Sequence, residues 1–322
     1  MNRYHLVHTT QFQYDGPVSE SYNEVRLRPI QDEKQSCLSF RLTTTPGARI
    51  TAHRDGFDNW VHHFSILPEH RQLKVETESV VLAHDVVELP PDPTTLQEFR
   101  AMRDEFAEDN FDFVAPSTYV PHLGELAAIA DAAEARSGGT AEGFVDTASS
   151  LIHDQFRYVK GATHVHSSIK DCLVLKAGVC QDFAHLLLGV ARMRGLPARY
   201  VSGYLVPGSA ASPSATQEEV IGGHASHAWA EVCLPVNGWT SFDPTLGAPV
   251  GLRHVRVAYG RDYGDVAPVR GVYKGHAGQR LSVDVRVRPA LDDEGHEQMS
   301  KLTSAQPDAP AIVERPQQPH QQ

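Results

Sequence analysis

The spacing of apolar residues changes at a proline-rich segment, residues 89–93, and this change limits the folds that the chain can adopt. Before the segment, Leu73, Val75 and Thr77 alternate with charged residues, which is the period of a strand with one buried face. After it, apolar residues starting with Leu96 and Phe99 recur at helical spacing. The sequence therefore predicts an α+β protein, in which an antiparallel β domain precedes a helical part and a second antiparallel sheet.

The length of 322 residues is enough for two domains. We place an N-terminal β domain at residues 1–92 and a second domain at residues 93–290. In the second domain, helical patterns cover about 96–106, 122–136, 141–158 and 180–194, and strand patterns cover about 199–205, 227–234, 239–243 and 281–287. Residues 291–322 are polar and rich in proline and glutamine, so we expect a disordered tail.

The composition argues against several classes of protein. A net charge of −11 does not suit non-specific nucleic-acid binding, which needs a basic surface. No apolar run approaches the ~20 residues that cross a bilayer, and the first residues lack the apolar core of a signal peptide. Four cysteines in a chain of this length do not form a disulfide framework. We therefore expect a cytoplasmic protein that binds neither membranes nor nucleic acid.

Cys180 stands at the start of the helical pattern over 180–194, which Gly195 and Pro197 end. The positive end of a helix dipole favours a thiolate over a thiol, and its unpaired N–H groups can hold an oxyanion. A buried structural cysteine is the alternative, and position alone favours it. The other three cysteines, Cys37, Cys172 and Cys233, are predicted to be structural.

A nucleophilic cysteine needs a base and a third group that orients the base. His227 and Asp243 lie on two strand patterns that form a hairpin. A tight turn at residues 237–238 leaves the two side chains ~17 Å apart along the strands, which is too far. A three-residue loop at 235–237 instead pairs Asp243 with Trp229 and makes His227 a diagonal neighbour, with Cα atoms ~7–8 Å apart. We therefore predict the wider loop and a hydrogen bond between His227 and Asp243.

Four segments in this order resemble the transglutaminase-like superfamily of cysteine enzymes: residues 178–183 (GVCQDF), 195–204 (GLPARYVSGY), 227–231 (HAWAE) and 238–245 (GWTSFDPT). Residues 23–29 (NEVRLRP), 58–60 (DNW) and 258–263 (AYGRDY) look typical of the bacterial branch, which carries an N-terminal β domain. The resemblance covers about residues 1–290.

The resemblance implies a papain-like core with Cys180 as nucleophile, His227 as general base and acid, and Asp243 as the group that orients His227. It leaves the second oxyanion donor unassigned, because papain-type enzymes use an upstream glutamine and position 174 is a valine. Trp229 and Tyr158 are our candidates for this donor, with core packing as the alternative role. No segment fits the acidic calcium loop pattern, and no cofactor is expected.

The implied reaction is acyl transfer from a peptide or protein amide through a thioester. Water accepts the acyl group in a protease or amidase, and an amine accepts it in a transglutaminase; we favour water because it needs no second binding site. The loop over 206–223 is a possible flap, although an ordinary surface loop is the simpler interpretation.

Two alternatives remain open. Zinc binding is suggested by His62-His63, by the histidines at 164, 166, 224 and 227, and by Cys172 and Cys180, but no CxxC pair is present. A non-catalytic binding module is the other alternative, and an intact Cys-His-Asp set argues against it. The sequence leaves the oligomeric state open.

Overall fold

A computed structural model describes residues 1–85, 89–163, 167–207 and 226–290. Its first sheet is organised around the 24-residue strand β1 (Asn2–Val25). The other strands of this sheet are β2 (Gln35–Thr45), β3 (Thr51–Arg54), β4 (Trp60–Ile66), β5 (His70–Ala83), β13 (Val269–Lys274) and β14 (Gln279–Pro289). The first half of β1 pairs with β5 and β14, and its second half pairs with β4 and β13. The pairing register with β5 shifts between Gln13 and Val18, which marks a bulge between the two halves of β1.

The last two strands, β13 and β14, belong to this first sheet. The sequence predicts a strand over 281–287, and the structure confirms it, but the predicted second domain, which extends to residue 290, does not include the sheet that this strand joins. The alternation of Val283, Val285 and Val287 with polar residues identifies a strand without saying which sheet it joins. In the structure, Val285 is buried in the same cluster as Leu6 of β1, so β14 returns to the first strand.

Helices follow the proline-rich segment, as predicted. They are α1 (Leu96–Asp109), α2 (Phe111–Val114), a 3₁₀ turn (Gly124–Leu126), α3 (Ala127–Arg136), α4 (Ala141–Gln155), α5 (Ile169–Leu175) and α6 (Cys180–Met193). The predicted helix over 141–158 ends earlier, because Phe156 is extended and the next two residues form β6 (Arg157–Tyr158). Strand β6 pairs in parallel with β7 (Ala177–Gly178), which directly precedes α6.

The second sheet has five antiparallel strands in the order β11-β10-β9-β8-β12. They are β8 (Ala198–Leu205), β9 (His227–Leu234), β10 (Gly238–Asp243), β11 (Ala248–Pro249) and β12 (His254–Gly260), and the short helix α7 (Tyr263–Val266) follows. Helix α6 packs on this sheet with Phe183, Leu186 and Leu187 fully buried, and alternate residues of β9 face it. The sequence analysis missed β12.

Two buried amide side chains attach the first sheet to strand β12. Gln35 accepts a hydrogen bond from the Arg256 N–H and donates one to the Arg256 carbonyl, each at 2.8 Å. Asn59 makes the same pair of bonds with Tyr259, at 2.8 and 2.7 Å. The edge of β12 that does not pair with β8 is thereby bonded to side chains of the first sheet. Apolar residues of both sheets share one core, in which Tyr4 packs near Tyr204.

Among the helices in the described ranges, none is both long enough and apolar enough to cross a membrane.

Candidate active site

Cys180 is the first residue of α6, as the sequence predicts. The preceding residue, Val179, is extended, and its N–H donates to the Asp182 carboxylate at 2.8 Å. The Thr163 hydroxyl donates to the same carboxylate at 2.5 Å, so Asp182 ties the start of the helix to the loop after β6. Gly178 is required here, because a Cβ atom at this position would lie 2.7 Å from the Asp182 carboxylate. The Cys180 side chain is half-buried.

The other three cysteines, Cys37, Cys172 and Cys233, are not disulfide-bonded. Burial raises the pKa of each thiol, to about 12 for Cys172, where the charge of Asp182 adds to the effect, and to about 11 for Cys233. These three side chains are therefore protonated thiols at neutral pH and poor nucleophiles.

The β9–β10 hairpin has the predicted register. Gly238 pairs with Leu234 and Phe242 pairs with Ala230, so residues 235–237 form the loop and Asp243 is level with Trp229. His227 and Asp243 are both buried, and His227 Nε2 lies 2.7 Å from Asp243 Oδ2. The wider loop and the hydrogen bond between these two side chains are confirmed.

His227 links Cys180 to Asp243. Burial alone would lower the pKa of His227, but the charge and hydrogen bond of Asp243, together with the interaction with Cys180, raise it. The Nε2 atom is engaged by Asp243, which leaves Nδ1 as the ring nitrogen for Cys180. Nδ1 has no hydrogen bond of ordinary geometry, as is common for a nucleophile and its base before substrate binds. The arrangement suits proton exchange between the Cys180 sulfur and Nδ1.

Asp243 accepts hydrogen bonds from four donors. Oδ1 accepts from the N–H groups of Thr245 and Leu246, at 2.9 and 3.2 Å. Oδ2 lies 2.7 Å from His227 Nε2 and 3.2 Å from Nε2 of a second histidine, His254. Burial would raise the pKa of Asp243, but the two imidazoles lower it, so the carboxylate is ionised.

The sequence analysis did not single out His254. The signal that was available is the alternation of apolar Val255 and Val257 with His254 and Arg256, which is a strand pattern. This strand, β12, pairs with the edge of β8 that β9 does not occupy. Its first residue, His254, is therefore at the same end of the sheet as His227, the first residue of β9.

Both candidate oxyanion donors lie close to this group. Tyr158, on β6, is half-buried, and burial followed by the charge of Cys180 raises the pKa of its hydroxyl, which therefore keeps its proton. Trp229 is fully buried, with its ring centroid 6.0 Å from that of His227, and its Nε1 has no hydrogen-bond partner among the residues that the structure describes. Tyr158 interacts electrostatically with Cys180, whereas the ring of Trp229 packs against the rings of His227 and His254. Val174, at the position considered for a glutamine, is 82% exposed.

Within the described residues, one group of three side chains has the composition of a metal site, namely His227, Asp243 and His254. Their ligand atoms lie within 4.8 Å of one another. Two ligands of a tetrahedral zinc ion are about 3.4 Å apart, whereas 2.7 Å between His227 and Asp243 is a hydrogen-bond distance. His62 and His63 are not part of this group. The histidines at 164, 166 and 224, and residues 208–223 of the loop before β9, lie outside the described ranges.

Comparison with known proteins shows which family the chain is similar to. A family model described as the bacterial transglutaminase-like N-terminal region matches residues 4–82, and one described as the transglutaminase-like superfamily matches residues 128–244. A Mycobacterium leprae protein, named only as uncharacterized, is 36% identical over 294 residues, which are 89% of this chain and 99% of that protein. A protein-glutamine gamma-glutamyltransferase of Pseudomonas aeruginosa is 33% identical over 98 residues, which are 29% of this chain and 14% of that protein.

One solved structure matches nearly the whole chain. It is a protein of Cytophaga hutchinsonii named as a candidate cysteine protease, with a TM-score of 0.65 and 20% identity over 90% of this chain and 91% of that one. A similarity at this level of identity shows a shared fold.

Proposed function

The chain belongs to the transglutaminase-like superfamily, and on that premise we propose that it is a cysteine-dependent enzyme acting on peptide or protein amides. One observation carries the proposal. The first residue of α6 is a half-buried cysteine that interacts with an imidazole whose far nitrogen is bonded to a buried carboxylate. Such a set suits a nucleophile, its base and the group that orients the base.

The first half of the proposed reaction forms a thioester. The raised pKa of His227 favours an imidazolium beside a Cys180 thiolate. The sulfur attacks the amide carbon, and the negative charge passes to the carbonyl oxygen, which the N–H groups of the first turn of α6 stabilise. The hydroxyl of Tyr158 is our first choice for a further donor to this oxygen, and Nε1 of Trp229 is the second.

Collapse of the tetrahedral intermediate breaks the carbon–nitrogen bond. His227 gives the proton on Nδ1 to the leaving nitrogen, which departs as an amine, and the acyl group stays on Cys180. Asp243 accepts the Nε2–H throughout, so the ring keeps Nδ1 towards the sulfur. The neutral ring then takes a proton from the group that attacks the thioester, and the Cys180 thiolate is released.

Water is our proposed acceptor, which makes the enzyme a protease or amidase. It needs no binding site beyond the one that holds the acyl group. Transfer to an amine is the second candidate, and the 98-residue similarity to a protein-glutamine gamma-glutamyltransferase favours it. Both reactions share every step up to the thioester.

Alkylation of the native protein tests the nucleophile. We expect iodoacetamide to modify Cys180 faster than Cys37, Cys172 and Cys233, with a rate that persists at mildly acidic pH, and His227→Ala to abolish the acidic reactivity. Mass spectrometry locates the modified residue. If Cys180 reacts no faster than the other three thiols, the binding-module alternative replaces the enzyme.

Substrate assays then separate the two acceptors. A glutamine-containing protein is incubated with and without a primary amine, and its mass is followed. Cleavage or deamidation that the amine leaves unchanged supports hydrolysis, whereas covalent amine incorporation supports transfer. Cys180→Ser is the inactive control in both arms.

A further inference from the structure

His254 begins strand β12 and is buried, at 5% exposure, beside the carboxylate that orients His227. Its Nε2 lies 3.2 Å from Asp243 Oδ2, the same oxygen that His227 contacts. The ring of Trp229 packs edge-on against it, with centroids 5.2 Å apart. His254 has no role in the proposed reaction, although it contacts the carboxylate at the centre of the site.

The neighbours of His254 fix which ring nitrogen carries the proton. The N–H of Gly251 donates to Nδ1 at 3.3 Å, so Nδ1 is an acceptor and has no proton. Burial lowers the pKa of His254, which keeps the ring neutral with a single proton. That proton is therefore on Nε2, from which the ring donates to Asp243.

We propose that His254 is a positioning residue for the acyl transfer: its Nε2–H holds the Asp243 carboxylate in place so that Oδ2 stays directed at His227. This inference rests on the proposed function. With the backbone N–H groups of Thr245 and Leu246 on Oδ1, the two histidines on Oδ2 leave the carboxylate no freedom to turn.

Loss of the His254 donor has a defined consequence. Without it, Oδ2 of Asp243 keeps a single donor, His227, and the carboxylate can rotate. The buried negative charge of Asp243 is also less stabilised. The His227 imidazolium is then less well supported, so more of the pair is neutral thiol and imidazole and less of it is thiolate and imidazolium. Alkylation of Cys180 at mildly acidic and neutral pH should slow about tenfold, whereas the rate at alkaline pH, where the thiolate forms beside a neutral ring, should stay the same.

The titratable groups around this centre come from five elements. Asp243 on β10 faces His227 on β9, and Cys180 on α6 faces His227 from the other side. Arg256 on β12 acts on His254 and lowers its pKa. From α4, the Nδ1 of His153 lies 3.1 Å from the Thr245 carbonyl, next to the turn that binds Oδ1.

Two substitutions separate the donor from the volume of the ring. His254→Phe keeps an aromatic ring against Trp229 and has no donor, whereas His254→Gln offers an amide N–H in a similar place. Each variant is first checked for folding by urea unfolding. The readout is the rate of Cys180 alkylation by iodoacetamide against pH, which needs no substrate.

We expect His254→Phe to slow Cys180 alkylation about tenfold at mildly acidic pH but not at alkaline pH, and to slow amide turnover about tenfold or more, with KM little changed. His254→Gln should restore most of both. A residue that only stabilises the fold would lower the active fraction equally at every pH. A profile that neither variant moves, or that Gln fails to restore, overturns the positioning role.

Two further measurements distinguish the alternatives. Imidazole ¹⁵N spectra of the wild-type protein should show His254 with its proton on Nε2, and a proton on Nδ1 overturns the inference without any reference to activity. One equivalent of zinc in the purified protein also overturns it, because the imidazoles would then be ligands. If wild-type Cys180 itself is unreactive, the proposed function fails, and the positioning role fails with it.

Discussion

Replacing Asp243 with asparagine is a stringent test of the site, because the two side chains have the same shape and differ in one hydrogen-bonding atom. Asp243 accepts four hydrogen bonds, two on each oxygen. Asparagine has one oxygen, so one pair of donors must face an NH₂ group.

The two orientations of the amide are not equivalent. If the NH₂ group faces Thr245 and Leu246, the backbone N–H groups of these two residues lose their acceptor. A backbone N–H can only donate, so each loss costs about 1–3 kcal/mol of stability. If it faces the histidines, His227 can instead present a lone pair at Nε2. Its proton then moves to Nδ1, the nitrogen on the side of Cys180. The second orientation leaves one donor, the Nε2–H of His254, without an acceptor, whereas the first leaves two. The second orientation is therefore favoured, and it removes the base from the thiol.

The expected loss of activity follows from this change of tautomer in His227. A base in the wrong tautomer lowers kcat/KM by about 10²–10⁴, which is about 3–5 kcal/mol in transition-state free energy. Alkylation of Cys180 at mildly acidic pH should fall in parallel, because the neutral ring cannot take the thiol proton. The free energy of unfolding should fall by about 1–3 kcal/mol.

The loss of stability should depend on pH in a defined way. The raised pKa of His227 gives stability that is complete below its unfolded value of about 6.5 and is lost as pH rises through the folded value. The lowered pKa of Asp243 gives stability that is complete above about 3.9 and is lost as pH falls through the folded value. Wild type and Asp243→Asn should therefore differ most between about pH 4 and pH 6.5.

Urea unfolding at several pH values and Cys180 alkylation measure these effects. Asp262→Asn is the matched control, because Asp262 is also buried and accepts N–H groups on both oxygens, from Gly264 and Tyr119. The control should lose stability and keep the Cys180 reactivity. If Asp243→Asn behaves like Asp262→Asn, with normal alkylation and turnover, the assignment of Asp243 as the orienting group is refuted.

Three further substitutions probe the surroundings of the site. Tyr158→Phe should lower kcat about 10²-fold with little change in KM or in unfolding free energy if the hydroxyl binds the oxyanion, and steady-state kinetics would show otherwise. Gly203→Ala should cost more than about 3 kcal/mol in urea unfolding, since its Cβ would lie 2.2 Å from the Val255 carbonyl, which cannot move aside; an unchanged midpoint contradicts the packing. Glu231→Ala should cost about 3–5 kcal/mol by the same measurement, because it leaves Arg199 and Arg256 without their carboxylate.

The sequence was sufficient for the parts of the site that depend on local register. The start of α6 follows from an apolar stripe that begins after Cys180, and the position of Asp243 beside His227 follows from counting residues across one hairpin. Both inferences use residues that are close in the chain, where secondary structure alone fixes the distance. The fold class could be predicted for the same reason, because periodicity distinguishes strands from helices.

Partners that are distant in the chain could not be predicted in this way. The pairing of β14 with β1 joins residues about 275 positions apart, and His254 meets Asp243 across a strand that was not identified. The alternation of apolar and polar residues predicts that Val285 and Val255 lie on the buried faces of strands. It does not predict which sheet those faces pack against. That information lies in side-chain packing between the sheets, as in the shared core around Tyr4 and Tyr204.

The choice of hairpin loop shows how a distant residue supports the local geometry. Asn237-Gly238 is a strong signal for a tight two-residue turn, yet the structure has the three-residue loop. Asp92, in the proline-rich segment before α1, accepts the N–H groups of Val236 and Asn237 at 2.8 and 3.0 Å. A tight turn would shift the register by three residues and place Asp243 on the opposite face from His227. The segment that separates strands from helices thus also stabilises the loop on which the contact between His227 and Asp243 depends.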